Sequence, residues 1–218
     1  PRHVIIATGS KPKLMEGLEV EGKYVLTSDE ALNMESLPES VIIIGGGAIG
    51  IEWASMLADF GVKVTVLEYS DAILPSEDEE IAKGMEQLLK KRGIDIITGA
   101  AVLPETFSIN GGVSITADVK GEKTEFSGGK ILLSIGRTAN IKGIGLENTN
   151  IETDGGKIKT NEFFQTKESH IYAIGDCIGG LQLAHVASRE GIVAVEHMAG
   201  KNPDPINPLA IPRCIYSF

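Results

Sequence analysis

The sequence predicts an α/β protein in which buried parallel strands alternate with amphipathic helices and one antiparallel meander interrupts the alternation. Three observations predict it. Four apolar runs end on glycine, VIIATGS, VIIIGGG, ILLSIGR and IYAIGD, the pattern of buried parallel strands whose carboxyl ends face a ligand. After the second run, apolar residues recur at helical spacing. Between residues 100 and 127 the pattern changes to short strands joined by glycine turns. The runs have no fixed period, which excludes a solenoid.

The elements follow in order. Val4–Ala7 is a strand of buried type, and Val41–Ile44 is a second. Ile49, Trp53, Met56, Leu57 and Phe60 share one helical face, which predicts a helix over Ala48–Phe60 stopped by a left-handed cap at Gly61. Val62–Glu68 places three valines on one side of a strand. Ser76 with Glu79 forms a capping box for the next helix, whose buried stripe is Ile81, Met85, Leu88 and Leu89 and whose end is Gly93. Lys90, Lys91 and Arg92 compensate the dipole at its C-terminus. IDIIT is a further strand. Asn110-Gly111-Gly112 and Gly121-Glu122 turn the meander, and ILLSIG returns to the parallel sheet. From about Lys157 the composition shifts toward a helix over Leu183–Met198, closed by Gly200 and followed by a proline-rich connector, Lys201–Pro208. The sequence begins almost within a strand and ends on IPRCIYSF, which resembles another, so it is expected to be a piece of a longer protein.

Composition narrows the function. The 218 residues are 42% hydrophobic and 23% charged, as in soluble globular proteins. No apolar run approaches the ~20 residues that cross a bilayer, and no basic-then-apolar signal opens the sequence. A net charge of -10 argues against nucleic acid or an anionic membrane as partner. Aromatics at 5% give no stacking platform for single strands. Cys177 and Cys214 lie far apart with no histidine cluster, which argues against a metal site or a disulfide framework. Both are expected to be buried thiols in a reducing, cytoplasmic setting.

Gly45-x-Gly47-x-x-Gly50 follows a strand and opens a helix. Gly45 permits the tight turn, Gly47 the approach of a diphosphate, and Gly50 close packing of the helix on the strand. Gly46, Ala48 and Ile49 complete a loop whose N–H groups and helix dipole favour an anion. Glu68, eighteen residues beyond Gly50, ends the next strand where an acceptor for ribose hydroxyls belongs. The plainer alternative is a surface glutamate on a loop of similar shape. Its carboxylate repels a 2′-phosphate and Tyr69 and Ser70 offer no arginine, so NAD is favoured over NADP. The expected fold is therefore a Rossmann-like NAD-binding domain carrying an antiparallel meander.

The ordered set IIATGSKP, VIIIGGGAIGIE, VTVLE, LLSIGRTAN, IYAIGD and LQLAHVASREG resembles the two-dinucleotide flavoprotein disulfide reductases over essentially the whole chain. Its QLAH…EG stretch points to their lipoamide branch, the dihydrolipoamide dehydrogenases. The resemblance implies an NAD-binding domain, residues 38–153, inserted in an FAD-binding domain whose parts are residues 1–37 and 154–218. It places Thr8, Gly9 and Ser10 near FAD and gives Asp176, after Gly175, the flavin ribityl or ribose hydroxyls. The alternative for Asp176 is a helix cap. Gln182, Leu183, Ala184 and His185 would lie under the flavin, where helix N–H groups stabilise negative charge. Glu52 and Gly136 would approach the nicotinamide, Glu52 pairing with a lysine of the FAD domain, and Val102 would meet adenine through its backbone. Without the resemblance, Glu52 is an ordinary exposed residue in the first helical turn and Val102 an ordinary strand residue. Arg137, next to Gly136, is a further candidate on the nicotinamide side of NAD. The family's usual proline before Asn140 is an alanine here.

The same resemblance implies that the redox disulfide and first glycine motif precede Pro1 and that the His–Glu acid–base pair and dimer interface follow Phe218. No catalytic residue is expected within the chain. His185 and Glu190, five apart, lie on different helix faces and are not that pair. His3, His170 and His197 are expected to be structural. The parent would oxidise dihydrolipoamide carried by the acyltransferase subunit of a 2-oxo-acid dehydrogenase complex, as a homodimer using FAD and NAD. An NADH oxidase or mercuric reductase-like flavoprotein, and a non-catalytic NAD-binding module, are the competing readings.

Overall fold

The computed structural model describes residues 2–217. It divides into two compact units, a smaller one reaching to Lys11 and resuming over Arg137–Arg213, and a larger one of Pro12–Gly136 with the residues from Cys214 on. These compact units are not the nucleotide-binding domains, residues 38–153 and their flanks, that the resemblance implies, whose limits are a separate matter. The larger unit includes the strand Val25–Leu26, which adds to its sheet.

The chain opens with β1 (Val4–Ile6) and passes through β2 (Ser10–Pro12). The larger unit then contains β3 (Val25–Leu26), α1 (Ser28–Ala31), β4 (Ser40–Ile44), α2 (Ala48–Asp59), β5 (Lys63–Leu67), α3 (Glu79–Lys91) and β6 (Asp95–Ile97). The meander follows as β7 (Ala100–Ile109), β8 (Val113–Val119) and β9 (Glu122–Gly128), before β10 (Lys130–Leu133). The smaller unit resumes with β11 (Arg137–Ala139), β12 (Thr153–Asp154), β13 (Lys157–Ile158), β14 (Ile171–Ala173) and α4 (Ala184–Met198).

Five strands of the larger unit form a parallel sheet in the order β3-β10-β4-β5-β6. Side chains alternate across a strand, so Val41 and Ile43 of β4 enter one core while Ile42 and Ile44 enter another. The first core is built with α2 and α3 through Ile51, Trp53, Ala54, Leu57, Ala82 and Leu89. The second is built with the meander through Val113, Ile115 and Ala117. Each fully buried Ile or Leu contributes about 2 kcal/mol of transfer free energy. β7, β8 and β9 pair antiparallel, and the β7–β8 ladder is interrupted between Leu103 and Ser108. There the Thr106 hydroxyl donates to the Leu103 carbonyl and accepts from the Thr116 N–H, replacing ladder bonds.

The helices lie rotated from the faces that the sequence predicts. On α2, Met56 and Phe60 are exposed, and the small Gly50 and Ala54 are buried with Ile51, Trp53 and Leu57. Small residues let the helix axis approach the strands, and that brings this face inward. On α3, Ile81 and Leu88 are exposed while Ala82 and Leu89, one position on, are buried. Asp78, not Ser76, caps α3, accepting from the Glu80 and Ile81 N–H groups. Gly61 and Gly93 follow the two helices with positive φ. The described residues after Ile211 form no strand; there the Tyr216 N–H donates to the Glu52 carboxylate instead of to a ladder. Cys177 is buried as expected, but Cys214 is exposed.

In the smaller unit β1 pairs in parallel with β14, and β12 with β13 form a short hairpin. Val4 and Ile5 are each more than a third exposed, at 38% and 37%, so β1 is not the buried strand its composition suggests. Tyr172 of β14 is buried, and its hydroxyl lies 2.8 Å from Nδ1 of His197 on α4. His197 stacks on Phe163, and burial pushes the Tyr172 phenol above its ordinary pKa.

Candidate functional site

The larger unit holds a glycine loop between β4 and α2. Gly45 turns with φ 108°, which only glycine adopts readily, and a Cβ there would lie 2.4 Å from the Ser134 carbonyl oxygen. A Cβ on Gly50 would lie 2.0 Å from the Gly45 carbonyl oxygen and 2.7 Å from Ser134 Oγ. A Cβ on Gly47, by contrast, meets nothing within 4 Å. Two glycines are thus demanded by the protein itself, and the third leaves space beside the backbone. Gly47 is the N-cap of α2 and gives it no side-chain cap. The first-turn N–H groups of Ala48 and Ile49, which have no intrahelical acceptor, are left for an anion.

Glu68 closes the other side of this loop. It is buried, and its two carboxylate oxygens accept the N–H groups of Gly46 at 2.6 Å and of Ser70 at 2.7 Å. The Gly46 N–H is thereby used within the loop, and its carbonyl accepts from Leu74. Each carboxylate oxygen retains a second lone pair for a further donor. Ser134 Oγ donates toward the Ile44 and Gly45 carbonyls, tying β10 to the loop. Gly136 has φ 107° with open space where a Cβ would stand. Glu52, one turn into α2, accepts the Tyr216 N–H at 3.0 Å. Val102 pairs with Ala117 and packs on the meander core.

The smaller unit gathers a second set. Ser10 Oγ donates to Asp176 Oδ2 at 2.5 Å and accepts from Arg137 Nε at 2.6 Å, while Arg137 also holds the Ser10 carbonyl. Arg137 Nε stands 4.0 Å from Asp176. Asn140 binds the carbonyls of Gly9 and Thr8, so the turn forms without the family's proline. The Thr8 hydroxyl is buried and has no hydrogen-bond partner, an uncompensated polar atom that a ligand would satisfy. Gln182 adopts φ 51°, Leu183 caps α4 without a side-chain bond, and the first-turn N–H groups of Ala184 and His185 are free of caps. His185 is exposed and Glu190 buried, on different faces of α4 as expected.

Glu190 is the residue whose part the sequence left unread. Its Oε2 accepts the Gly175 N–H at 2.6 Å, next to Asp176. Burial, with Asp176 nearby, pushes its carboxyl above the ordinary glutamate range, against the pull of the Gly175 bond. A raised carboxyl keeps its proton in the folded chain where the unfolded chain has lost it, so stability falls as pH rises from about 4.5 through the raised value. Glu190→Gln removes this titration. Thermal melts from pH 4.5 to 8 are expected to show the wild type losing stability relative to E190Q as pH rises; parallel curves would refute it.

Among the described residues no helix is long and apolar enough to cross a membrane. The family model described as pyridine nucleotide-disulphide oxidoreductase matches residues 2–191. The chain is 67% identical over 218 residues to a dihydrolipoyl dehydrogenase of Bacillus subtilis, covering 100% of this chain and 46% of that relative. It is 41% identical to the dihydrolipoyl dehydrogenase of Chlorobaculum parvum, over 99% of this chain and 46% of the relative. Among solved structures, LpdA from Mycobacterium tuberculosis superposes with a TM-score of 0.89 at 30% identity, over 99% of this chain and 46% of that one. The HOCl-induced flavoprotein disulfide reductase RclA from Escherichia coli superposes at 0.83 and 29%, over 93% of this chain and 46% of that one. The chain spans about half the length of the curated relatives it matches.

Proposed function

Because the chain belongs to the pyridine nucleotide-disulphide oxidoreductase family, we propose that its larger unit binds NAD and its smaller unit supplies part of an FAD site, within a dihydrolipoyl dehydrogenase. The observation that carries the reading is the loop of Gly45–Gly50: open space at Gly47, uncapped N–H groups behind it, and a buried carboxylate at Glu68. Ala48 and Ile49 hold the diphosphate through their N–H groups. Glu68 accepts from the adenosine ribose and disfavours a 2′-phosphate. Val102 meets the adenine, and Glu52 and Gly136 border the nicotinamide.

The smaller unit fits a flavin by its own chemistry. Thr8 has an unsatisfied hydroxyl, Gly9 and Ser10 turn beside it, and Asp176 offers a carboxylate to the polyol. The start of α4, from Gln182 to His185, directs N–H groups and the positive dipole end at developing negative charge. Bound FAD supplies the electron relay from a dithiol to the nicotinamide. Cys177 and Cys214 are both free thiols, and Cys177 is buried.

The substrate we infer is dihydrolipoamide on the acyltransferase subunit of a 2-oxo-acid dehydrogenase complex, oxidised by a cytoplasmic homodimer. The 67% identity to the Bacillus subtilis relative supports this ahead of an NADH oxidase or a mercuric reductase-like enzyme. Titration of the purified chain with NADH and NADPH, followed by fluorescence, tests the nucleotide reading. NADH is expected to bind at least about tenfold more tightly, and equal affinities or binding of neither would overturn it.

A further inference from the structure

The turn carrying Asp176 is held from behind. Gly175 has φ 72°, and a Cβ on it would lie 3.3 Å from Ala187 of α4, so the helix packs directly against the turn. One turn further along α4, buried Glu190 accepts the Gly175 N–H at 2.6 Å. On its other side, Asp176 Oδ2 accepts from Ser10, which Arg137 fixes in turn. The Asp176 carboxylate therefore has its backbone set by α4 and one oxygen set by Ser10.

We propose that Glu190 is a positioning residue for the flavin site: by holding the Gly175 N–H, it fixes the turn that aims Asp176 at the polyol of FAD. The inference rests on the reading of Asp176 as a flavin ligand. A buried carboxyl is a costly way to fill a helix–turn contact, since an apolar side chain would serve packing alone. Its service here is a hydrogen bond to one backbone N–H, which no apolar residue supplies. Glutamine preserves an acceptor oxygen at the same reach; alanine removes it and leaves the N–H buried and unpaired.

The test titrates FAD into the full 218-residue chain by quenching of flavin fluorescence, with E190A, E190Q and D176N beside the wild type. Amide hydrogen exchange at Gly175 is read on the same samples. E190A is expected to bind FAD about tenfold more weakly and to lose protection at Gly175. E190Q is expected to retain both. Weakening in D176N with wild-type binding in E190A would overturn the positioning role alone. Wild-type binding in D176N would overturn the flavin reading of Asp176, and the inference with it. Should the wild type bind no FAD, protection at Gly175 decides: loss in E190A with retention in E190Q supports the hold on the turn, and equal protection in all three overturns it. Loss in E190Q equal to that in E190A would show that charge, not the hydrogen bond to Gly175, matters, and would also overturn the proposal.

Discussion

Gly50→Val is expected to abolish NADH binding and to lower the melting temperature by roughly 5–10 °C. The added Cβ would stand 2.0 Å from the Gly45 carbonyl oxygen and 2.7 Å from Ser134 Oγ. Neither can yield easily: the first is backbone of the turn, and the second donates to the Ile44 and Gly45 carbonyls. The helix must retreat from β4, which opens the core around Ile51 and Ala54. Gly47→Ala separates the two effects. Gly47 has φ -74° and meets nothing within 4 Å, so alanine fits the folded chain and occupies only space that a phosphate needs. G47A is expected to melt as the wild type does and to bind NADH at least tenfold more weakly, by roughly 1.4 kcal/mol. Calorimetric melts and NADH titrations check both, and an unaltered G50V would refute the packing argument.

Glu68→Ala is expected to weaken NADH about a hundredfold and to cost roughly 2–4 kcal/mol of stability. Two backbone N–H groups, of Gly46 and Ser70, lose their acceptor at once. Glutamine is no conservative substitute here. Its amide NH₂ must face one of those two N–H groups, donor against donor. E68Q is therefore expected to recover part of the stability and little of the affinity. NADPH should lose less than NADH in both variants, because the charge that opposes its 2′-phosphate is gone. Selectivity that stays at the wild-type ratio would show that Glu68 does not read the ribose.

The features legible in the sequence are those imposed by local sterics. Gly45 and Gly50 stand where a side chain collides with backbone, so a spacing of glycines after an apolar run reports real geometry. The strands β4 and β10 are legible similarly, as apolar runs that the parallel sheet buries. Helix orientation was less legible. α3 carries apolar residues at 81, 85, 88 and 89, and two stripes offset by one residue fit that pattern; contact with the sheet selects Ala82 and Leu89. The Ser10–Arg137–Asp176 network joins positions 127 and 166 residues apart, and Glu190 finds Gly175 across a loop. No local spacing encodes such meetings, which is why Glu190 read only as a residue on the wrong face to partner His185.

The strand β1 has a consequence for how this 218-residue stretch behaves when it is isolated in solution. Among the described residues it pairs with β14 alone, which leaves a row of its N–H and C=O groups without a ladder partner, and Val4 and Ile5 are partly exposed beside it. Such an edge is a template for a strand from a neighbouring molecule. What opposes that encounter is the net charge of -10, a repulsion acting before contact. At 0.15 M salt it is screened beyond about 8 Å. Colloidal stability is therefore a balance between a short sticky edge and a long-range charge cloud, and added electrolyte shifts it toward clustering.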